Sequence, residues 1–416
     1  MKINKAFKFK LSPTPEQFGK LSQFAGNTRF LWNKFLEIEK AQYEKDGKFI
    51  WWCELSKMTK DIVKEYPFLK DSPSVSLYRI SKVMSETLSK CGKKNKQCGF
   101  PRFKKRGHDS FFFYRNLKFT ENSLRIPKLG YIGMVKDCNF RGEPKQVTIS
   151  LKAGKWYASI LCAYEIPDKN IIGDNIVGID VGLKVYATLS DGTKIDNIKT
   201  TKKYAKKLRR ENKKLSRKKK GSSNFKRQVF KLQKVHNKID NIRNNFLHNA
   251  TSQIVKKYDG VKVEDLSVKT MIGKNKSMNK SILDASWFEF KRQLEYKCKW
   301  NFKSFGKIDR YNPSSQACSG CGKIQPMPLN QRLYKCECGL ELDRDLNASL
   351  NILKGTVVHT ESKACGEKIR PTVKRRQFSA KQEKLAQKTG RKKPVRRRVT
   401  TSDSTVRQTK CNEVVE

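Results

Sequence analysis

Four cysteines in two close pairs constrain the fold more than any other feature of the sequence. Two residues separate Cys318 from Cys321, and one residue separates Cys336 from Cys338. Each pair has a glycine nearby that permits the turn of a metal-binding knuckle, and four thiolates complete the tetrahedral shell of Zn²⁺. A complete shell leaves no open position, so we expect a structural metal. The segment 314–341 is therefore predicted to be a zinc ribbon.

The remaining eight of the 12 cysteines are scattered along the chain. This usage is typical of a reducing compartment and argues against a secreted disulfide scaffold. No apolar run approaches the roughly 20 residues that span a bilayer. The N-terminal residues alternate Lys and Phe instead of forming the apolar block of a signal peptide. We therefore expect an intracellular protein with no membrane partner.

Positive charge dominates the composition, because 91 Lys and Arg face only 39 Asp and Glu, a formal net charge of +52. Self-repulsion on this scale favours unfolding unless a polyanion neutralises it, and nucleic acid also releases counterions on binding. Residues 201–243 alone hold 18 basic and two acidic side chains. An apolar stripe in their second half predicts two cationic helices that follow a phosphate backbone. They are expected to break at Gly221–Asn224, where Ser223 or Asn224 can cap the second helix.

Periodicity divides the chain into strand and helix segments. Residues 5–12 alternate at period two and predict a strand, whereas 14–89 carry interrupted helical spacing. Strand patterns return over 100–166, and 175–199 reads as a hairpin that turns at Asp191-Gly192. The first part of the chain therefore looks like a β module with a helical insertion. Its six most prominent aromatics are expected mainly in the core, with base stacking as the alternative: Trp51, Trp52 and Phe111 to Tyr114.

Three acidic residues in the second half of the chain occupy positions where the presence of a carboxylate calls for an explanation. Asp180 lies inside an apolar strand pattern, Glu264 ends the short apolar run 261–264, and Asp345 begins a helix just after the cysteines. Singly, each could be a turn residue, a surface charge or a helix cap. Together they match the carboxylates that hold two divalent ions about 4 Å apart for phosphodiester hydrolysis. An RNase H-like fold presents its acids in this order along the chain: one within a strand, one at the end of a strand and one at the start of a helix.

Three runs of the sequence carry a family likeness: Gly178–Lys184, Val263–Leu266 and Cys318–Asn347. The last is the most specific, because it joins the cysteines to the segment Asp-Arg-Asp-Leu-Asn. Together they resemble TnpB, a family of RNA-guided nucleases that insertion-sequence transposons encode and that is related to type V CRISPR effectors. Shorter matches extend the likeness over nearly the whole chain.

The resemblance implies an α+β multidomain fold. Residues 1–170 would form a β-barrel-like wedge with a helical recognition insertion at about 13–98. Residues 171–355 would form an RNase H-like (RuvC) α/β nuclease domain. That domain would include the basic helices 201–256 and carry the zinc ribbon as an insertion.

The C-terminal tail has a different character. Residues 356–416 hold 17 basic and six acidic residues with little apolar periodicity. This composition predicts a mostly disordered segment, since there is too little apolar surface to bury.

The resemblance also implies the site and its partners. Asp180, Glu264 and Asp345 would be the three catalytic residues and the ligands of the Mg²⁺ ions, with Arg344 and Asn347 supporting the site or contacting substrate. The partners would be a guide RNA derived from the transposon end and double-stranded target DNA beside a short flanking motif. Guide pairing would supply the sequence specificity. The implied location is the cytoplasm of a prokaryotic cell, in association with the nucleoid.

Three other functions remain open at this stage. A compact type V CRISPR effector would use the same chemistry with a different source of RNA. A guide-free RNase H-like transposase would join strands, although such enzymes usually order their acids Asp, Asp, Glu. A DNA-binding protein that has lost catalysis would not need to retain all three acids.

Overall fold

The computed structural model describes residues 1–91, 99–107, 109–136, 138–167, 173–273, 275–328 and 330–355. The tail predicted at 356–416 lies outside these ranges. Within them, no helix is both long enough and apolar enough to cross a membrane.

The first half of the chain builds one antiparallel sheet with helices inserted after its first strand. In chain order its elements are β1 (Lys2–Ser12), α1 (Pro15–Asp46), α2 (Trp52–Glu65), α3 (Ser74–Leu88), β2 (Ser110–Phe113), β3 (Ser123–Ile126), β4 (Gly130–Val135), β5 (Glu143–Lys152) and β6 (Lys155–Glu165). The strand order is β2-β5-β6-β1-β4-β3. Strand β1 pairs with β6 over Lys2–Lys10 and with β4 over Lys10–Ser12, as in a half-barrel. Its alternate residues Phe9 and Leu11 enter the core.

The inserted helices have a core of their own, formed around Leu31, Phe35 and Leu77. Helix α1 begins at a capping box, in which the Thr14 hydroxyl accepts from Gln17 N and the Gln17 side chain accepts from Thr14 N. It ends at Gly47, whose φ of 65° is left-handed. These signals explain why the sequence predicts this segment well.

The aromatics of this half divide between core and surface. Phe111 and Phe113 are buried in the sheet core, as expected. Trp51 and Trp52 at the start of α2 are instead 62% and 50% exposed. The two tryptophans are therefore available to nucleic-acid bases, whereas the two phenylalanines are not.

The second half forms a mixed sheet with helices packed on it. Its elements are β7 (Ile176–Val181), β8 (Val185–Leu189), β9 (Lys194–Asp196), α4 (Thr200–Ser216), α5 (Ser223–Lys257), β10 (Gly260–Glu264), α6 (Val268–Met271), α7 (Lys276–Ala285), α8 (Trp287–Trp300), β11 (Ser304–Ile308), β12 (Leu333–Lys335), β13 (Glu341–Asp343) and α9 (Arg344–Lys354). The strand order is β11-β10-β7-β8-β9. Strands β7, β8 and β9 pair antiparallel, whereas β10 runs parallel to β7 and β11. This is the order of an RNase H-like sheet.

The predicted α+β architecture, a half-barrel sheet followed by an RNase H-like sheet, is confirmed. Each sheet has a hydrophobic core separate from that of the inserted helices, and a small fourth cluster around Tyr334 lies in the cysteine-rich segment. The domain boundaries at 170 and 355 remain predictions.

Two local predictions were wrong. The hairpin of β7 and β8 turns at 182–184, where Gly182 N donates to Tyr186 O, while Asp191-Gly192 turns between β8 and β9. Two tight turns lie close together here, and Asp-Gly is the stronger sequence signal. The cap of α5 is Ser222, whose hydroxyl accepts from Phe225 N at 3.1 Å, and not Ser223 or Asn224. Ser223 is already the first helical residue.

Candidate active site and metal centre

Three elements bring the predicted acids to one cleft. Asp180 is on β7, and Glu264 is the last residue of the neighbouring parallel strand β10. Because Val263 pairs with Ile179 in parallel register, the next residues, Asp180 and Glu264, lie beside each other at the same end of the two strands. Asp345 lies in the first turn of α9. The three side chains line a cleft of about 730 Å³.

A glycine allows α9 to pack closely enough for this arrangement. Helix α9 packs against β7 at Gly178. A Cβ atom at Gly178 would lie 2.6 Å from Leu353 N and closer still to Ser349 O, both of them backbone atoms of α9. A larger residue would therefore push the helix, and with it Asp345, away from Asp180.

The two aspartates that flank Arg344 have different roles. Asp343 is the N-cap of α9, and its Oδ1 accepts from Asp345 N at 2.9 Å. Its other oxygen accepts from Lys194 Nζ at 2.9 Å. Capping was the simpler explanation of Asp345, but Asp343 fills that role. The Asp345 carboxylate lines the cleft, with Arg332 Nη1 3.8 Å from its Oδ2.

Electrostatics in the cleft disfavour bare negative charge. Burial, followed by the charges of Asp345 and Glu264, raises the pKa of Asp180 to about 7. Burial, followed by the charge of Asp265, raises the pKa of Glu264 to about 7. Carboxylate oxygens are the hard ligands that Mg²⁺ prefers. Without a cation, the raised pKa values favour the protonated form of both acids. A bound cation would stabilise the ionised form of both acids.

The four cysteines meet at a second site. Their sulfur atoms all lie within 4.8 Å of one another, and among the described residues they are the one group of three or more candidate metal ligands this compact. The Cys318–Cys338 and Cys321–Cys336 sulfur pairs are each 3.6 Å apart. Tetrahedral Zn²⁺ with bonds of about 2.3 Å places its sulfurs about 3.8 Å apart. The geometry therefore fits zinc.

The three acids are more widely spaced than the four sulfurs. Within the described ranges, no set of three carboxylates has its oxygens as close together as the cysteine sulfurs are. A wider set is compatible with two ions about 4 Å apart, each held by part of the set. The cysteine centre and the acidic cleft are therefore different kinds of site.

One face of α9 fastens the first cysteine knuckle to the helix that carries Asp345. Asn347 is fully buried, its Oδ1 accepts from Ser319 N at 2.9 Å, and its Nδ2 donates to Ala317 O at 2.7 Å. Asn351 Nδ2 donates to Ser314 O at 2.8 Å and to Ala317 O at 2.6 Å. We call Asn347 and Asn351 the α9 latch. Both polar atoms of the Asn347 side chain are therefore bonded to the knuckle backbone.

The sequence interpretation missed Asn351. The available signal was its spacing, because Asn347, Asn351 and Lys354 follow one another at intervals of four and three, on one helical face. Lys354 Nζ also donates to Ser319 O. A polar stripe on an otherwise packed helix indicates that the face binds backbone groups of a neighbouring segment.

Cations surround the acids on the walls of the cleft. Lys184, Arg310, Arg332 and Arg344 all line it. Arg310 Nη2 lies 2.7 Å from Asp265 Oδ2, and Arg344 Nη1 donates to Pro328 O at 2.9 Å, so both side chains are oriented. A second cleft of about 530 Å³ also includes Lys184 and adds Lys199, Lys202 and Lys280. The acidic centre is therefore bordered by groups that bind phosphates.

The basic helices α4 and α5 form a hairpin with a cationic hollow. The hollow has a volume of about 490 Å³. Its lining includes basic residues of both helices: Lys214, Arg217, Lys218, Arg227 and Lys231. Beneath it, Gln228 Nε2 donates to Glu211 Oε2 at 2.8 Å, and both side chains are buried. The two helices thus meet through a hydrogen bond from an amide to a carboxylate, while their cations converge on one surface, as the interpretation of a phosphate-binding helix pair requires.

Three family models match the chain in succession. One described as "Helix-turn-helix domain" matches residues 1–48, one described as "Probable transposase" matches 159–275, and one described as "Cas12f1-like, TNB domain" matches 287–352. The first of these segments contains strand β1 and the single helix α1 in this structure. The third contains the four cysteines and Asp345, and the second contains Asp180 and Glu264.

Several relatives align with most of the chain, and two of them are at least 33% identical to it. The "Putative RNA-guided DNA endonuclease InsQ" of Escherichia coli K12 is 35% identical over 396 residues, covering 89% of this chain and 96% of its own. A "Putative RNA-guided DNA endonuclease" of Streptomyces pristinaespiralis is 33% identical, covering 89% and 92%. Among solved structures, a Cas12f1–sgRNA–target DNA complex matches with a TM-score of 0.52 at 12% identity, covering 84% of this chain and 98% of that one. This last likeness concerns the fold alone.

Proposed function

The chain belongs to the TnpB (OrfB) family, and from that premise we propose that it is an RNA-guided DNA endonuclease of an insertion-sequence transposon. It would cut double-stranded DNA beside a short flanking motif. The observation that carries this proposal is the convergence of Asp180, Glu264 and Asp345 in one cation-walled cleft. A protein that only bound nucleic acid would gain nothing from three clustered acids, since they repel phosphate.

We propose that the three acids hold two Mg²⁺ ions. The ions, when bound, would supply activation of water and stabilisation of the leaving oxygen in phosphodiester hydrolysis. The surrounding residues have separate tasks. Gly178 keeps Asp345 near Asp180, Asp343 leaves the Asp345 carboxylate available by capping α9, and the cleft arginines attract the phosphate backbone.

The cysteine centre would hold a structural Zn²⁺. Cys318, Cys321, Cys336 and Cys338 would fill all four positions of a tetrahedral ion. Metal binding there would order the ribbon, and the α9 latch would transmit that order to the helix of Asp345. Its role is therefore mechanical support of the acidic cleft.

The nucleic-acid partners would divide the surface between them. A guide RNA would select the target by base pairing, while the protein holds the paired strands by shape and backbone. The cationic hollow of α4 and α5 is one candidate for such backbone contacts. Residues 1–170, with exposed Trp51 and Trp52, would recognise the RNA and the flanking motif.

A compact CRISPR effector is the second candidate, and the likeness of fold to the Cas12f1 complex supports it. The family model described as "Probable transposase" supports the transposon type, and the two relatives named above are more similar in sequence to this chain, at 35% and 33% identity, than the Cas12f1 of that complex, at 12%. Genomic neighbourhood separates the two: transposon ends indicate one, and a repeat array indicates the other.

The direct test is co-expression of the protein with the DNA that flanks its gene, followed by purification. Sequencing of the bound RNA should give one discrete species that ends in a variable guide. The complex should then cut a plasmid library with randomised flanks only beside one motif. Recovery of no discrete RNA, together with no cut library member, would show that the RNA-guided assignment is wrong.

A further inference from the structure

One aromatic ring at the edge of the acidic cleft is almost completely exposed. Tyr311 is 86% exposed and lines the cleft together with Asp180, Glu264 and Asp345. Trp51, Trp52 and Phe288, also exposed, reach 62%, 50% and 67%. An aromatic side chain normally buries most of its ring, so a ring this exposed gains little from the folded chain itself.

The backbone that carries Tyr311 is well anchored. Tyr311 N donates to Asp309 Oδ1 at 3.0 Å, and Asn312 N donates to Asp309 O at 3.1 Å, which closes a tight turn. Three residues on, Ser314 O accepts from Asn351 of the α9 latch. The loop is therefore tied to the same helix that positions Asp345. Within the described ranges no other ring stacks on Tyr311.

The surroundings of the ring match a nucleic-acid strand. Arg310 precedes it, and Arg332 and Arg344 line the same cleft, so phosphates are attracted close to the ring. A phosphodiester held at the acids must place the base of a neighbouring nucleotide nearby. A base in a single strand has free π faces, and an aromatic side chain is the group that binds such a face without regard to sequence.

We propose that Tyr311 is a stacking platform for a base of the DNA strand being cut, next to the reacting phosphate. The inference rests on the proposed nuclease function, since it assumes that a DNA strand enters the acidic cleft. It adds a binding site for an unstacked nucleobase, and it makes Tyr311 a positioning residue for hydrolysis. Sequence-independent stacking suits a nuclease whose specificity comes from guide pairing.

The first test compares cleavage rates of the protein–RNA complex carrying Tyr311→Ala or Tyr311→Phe. Loss of one stacked base weakens binding of the strand about 5- to 150-fold, so Tyr311→Ala should lower cleavage at limiting DNA by a factor in that range. Tyr311→Phe keeps the ring and should restore most of the rate. Leu333→Ala, which trims an exposed apolar side chain of β12, is the matched control and should cut at the unsubstituted rate. Equal rates for Tyr311→Ala and the unsubstituted complex would overturn the proposal.

The second test does not depend on a guide. Protein inactivated by Asp345→Asn is irradiated with a mixed-sequence single-stranded DNA oligonucleotide that contains 5-iododeoxyuridine, and the cross-linked peptide is identified by mass spectrometry. The stacked ring should make Tyr311 a principal cross-linked residue. Cross-links confined to other residues would overturn the platform. If the complex instead cuts no DNA while Tyr311 still cross-links, the proposed function fails and the base-binding site stands.

Discussion

At the scale of single residues, neighbouring acidic side chains at the start of α9 have different roles. Asp343 is committed to capping α9 and to Lys194, whereas Asp345, two residues later, lines the cleft. The sequence alone left capping open for Asp345, because a helix-start acid is usually a cap. Only the hydrogen bonds of α9 separate the two. The burial of Asp180, by contrast, could be predicted from its place in an apolar strand.

The raised pKa of Asp180 predicts how stability depends on pH when Mg²⁺ is absent. A carboxyl with a pKa raised to about 7 binds its proton more tightly in the folded state, so its stabilisation is present at low pH and is lost as pH rises through 7. The thermal unfolding midpoint of the protein without Mg²⁺ should decrease as the pH is raised from 5 to 8. Asp180→Asn should remove a penalty of up to about 4 kcal/mol above pH 7.

Thermal unfolding in Mg²⁺-free buffer at both pH values measures this effect. Asp196→Asn, an exposed position on β9 of the same sheet, is the control and should leave the pH dependence intact. An Asp180→Asn protein that loses as much stability as the unsubstituted protein between pH 5 and pH 8 would contradict the electrostatic description of the cleft.

At the scale of elements, the site depends on how α9 packs. Periodicity, caps and the cysteine spacing were enough to predict most helices, the central strands and the ribbon. The strand pattern predicted over 100–166 includes the short strands β3 and β4 but does not give their bounds, since four to six residues with glycine and charge carry little periodic signal. The contact of α9 with β7 could not be predicted either, because it depends on tertiary packing at Gly178.

The packing at Gly178 predicts a large effect from adding one methyl group. Gly178→Ala would force a Cβ into the backbone of α9 and should destabilise the protein by at least about 1–3 kcal/mol. It should also abolish or strongly reduce DNA cleavage by moving Asp345. Gly19→Ala is the control, because nothing lies within 4 Å of that position on α1 and a helical alanine should be neutral or stabilising by about 0.5–1 kcal/mol. Similar unfolding midpoints for the two variants would refute the close packing.

The α9 latch predicts that the cysteine centre and the helix are coupled. Asn347→Ala would leave the buried Ser319 N–H without its acceptor, at a cost of about 1–3 kcal/mol, and should loosen the knuckle. Zinc release to a chromogenic chelator should therefore become faster, in parallel with a lower unfolding midpoint. Asn212→Ala on the exposed face of α4 serves as the control. Unchanged release from the Asn347→Ala protein would show that the latch does not support the ribbon.

At the scale of the whole molecule, the structure shows where parts of the net charge of +52 are concentrated. Composition alone indicated a polyanion partner without saying where it binds. The structure gathers cations in the hollow of α4 and α5, in the second cleft, and around the acids themselves. The strongest signals in the sequence, four cysteines and three acids, are joined through α9. That connection could not be predicted, since the acids are separated by long stretches of chain and meet only through the fold.

The central claim is that three acids in this cleft cut DNA under the direction of a bound RNA. The most direct measurement is cleavage of a matched double-stranded DNA by the purified protein–RNA complex with Mg²⁺, compared between the unsubstituted protein and Asp345→Asn. We expect cutting by the first, none without Mg²⁺, and none by the second, while both bind the matched DNA equally. Cleavage by the Asp345→Asn complex at the unsubstituted rate would contradict the account.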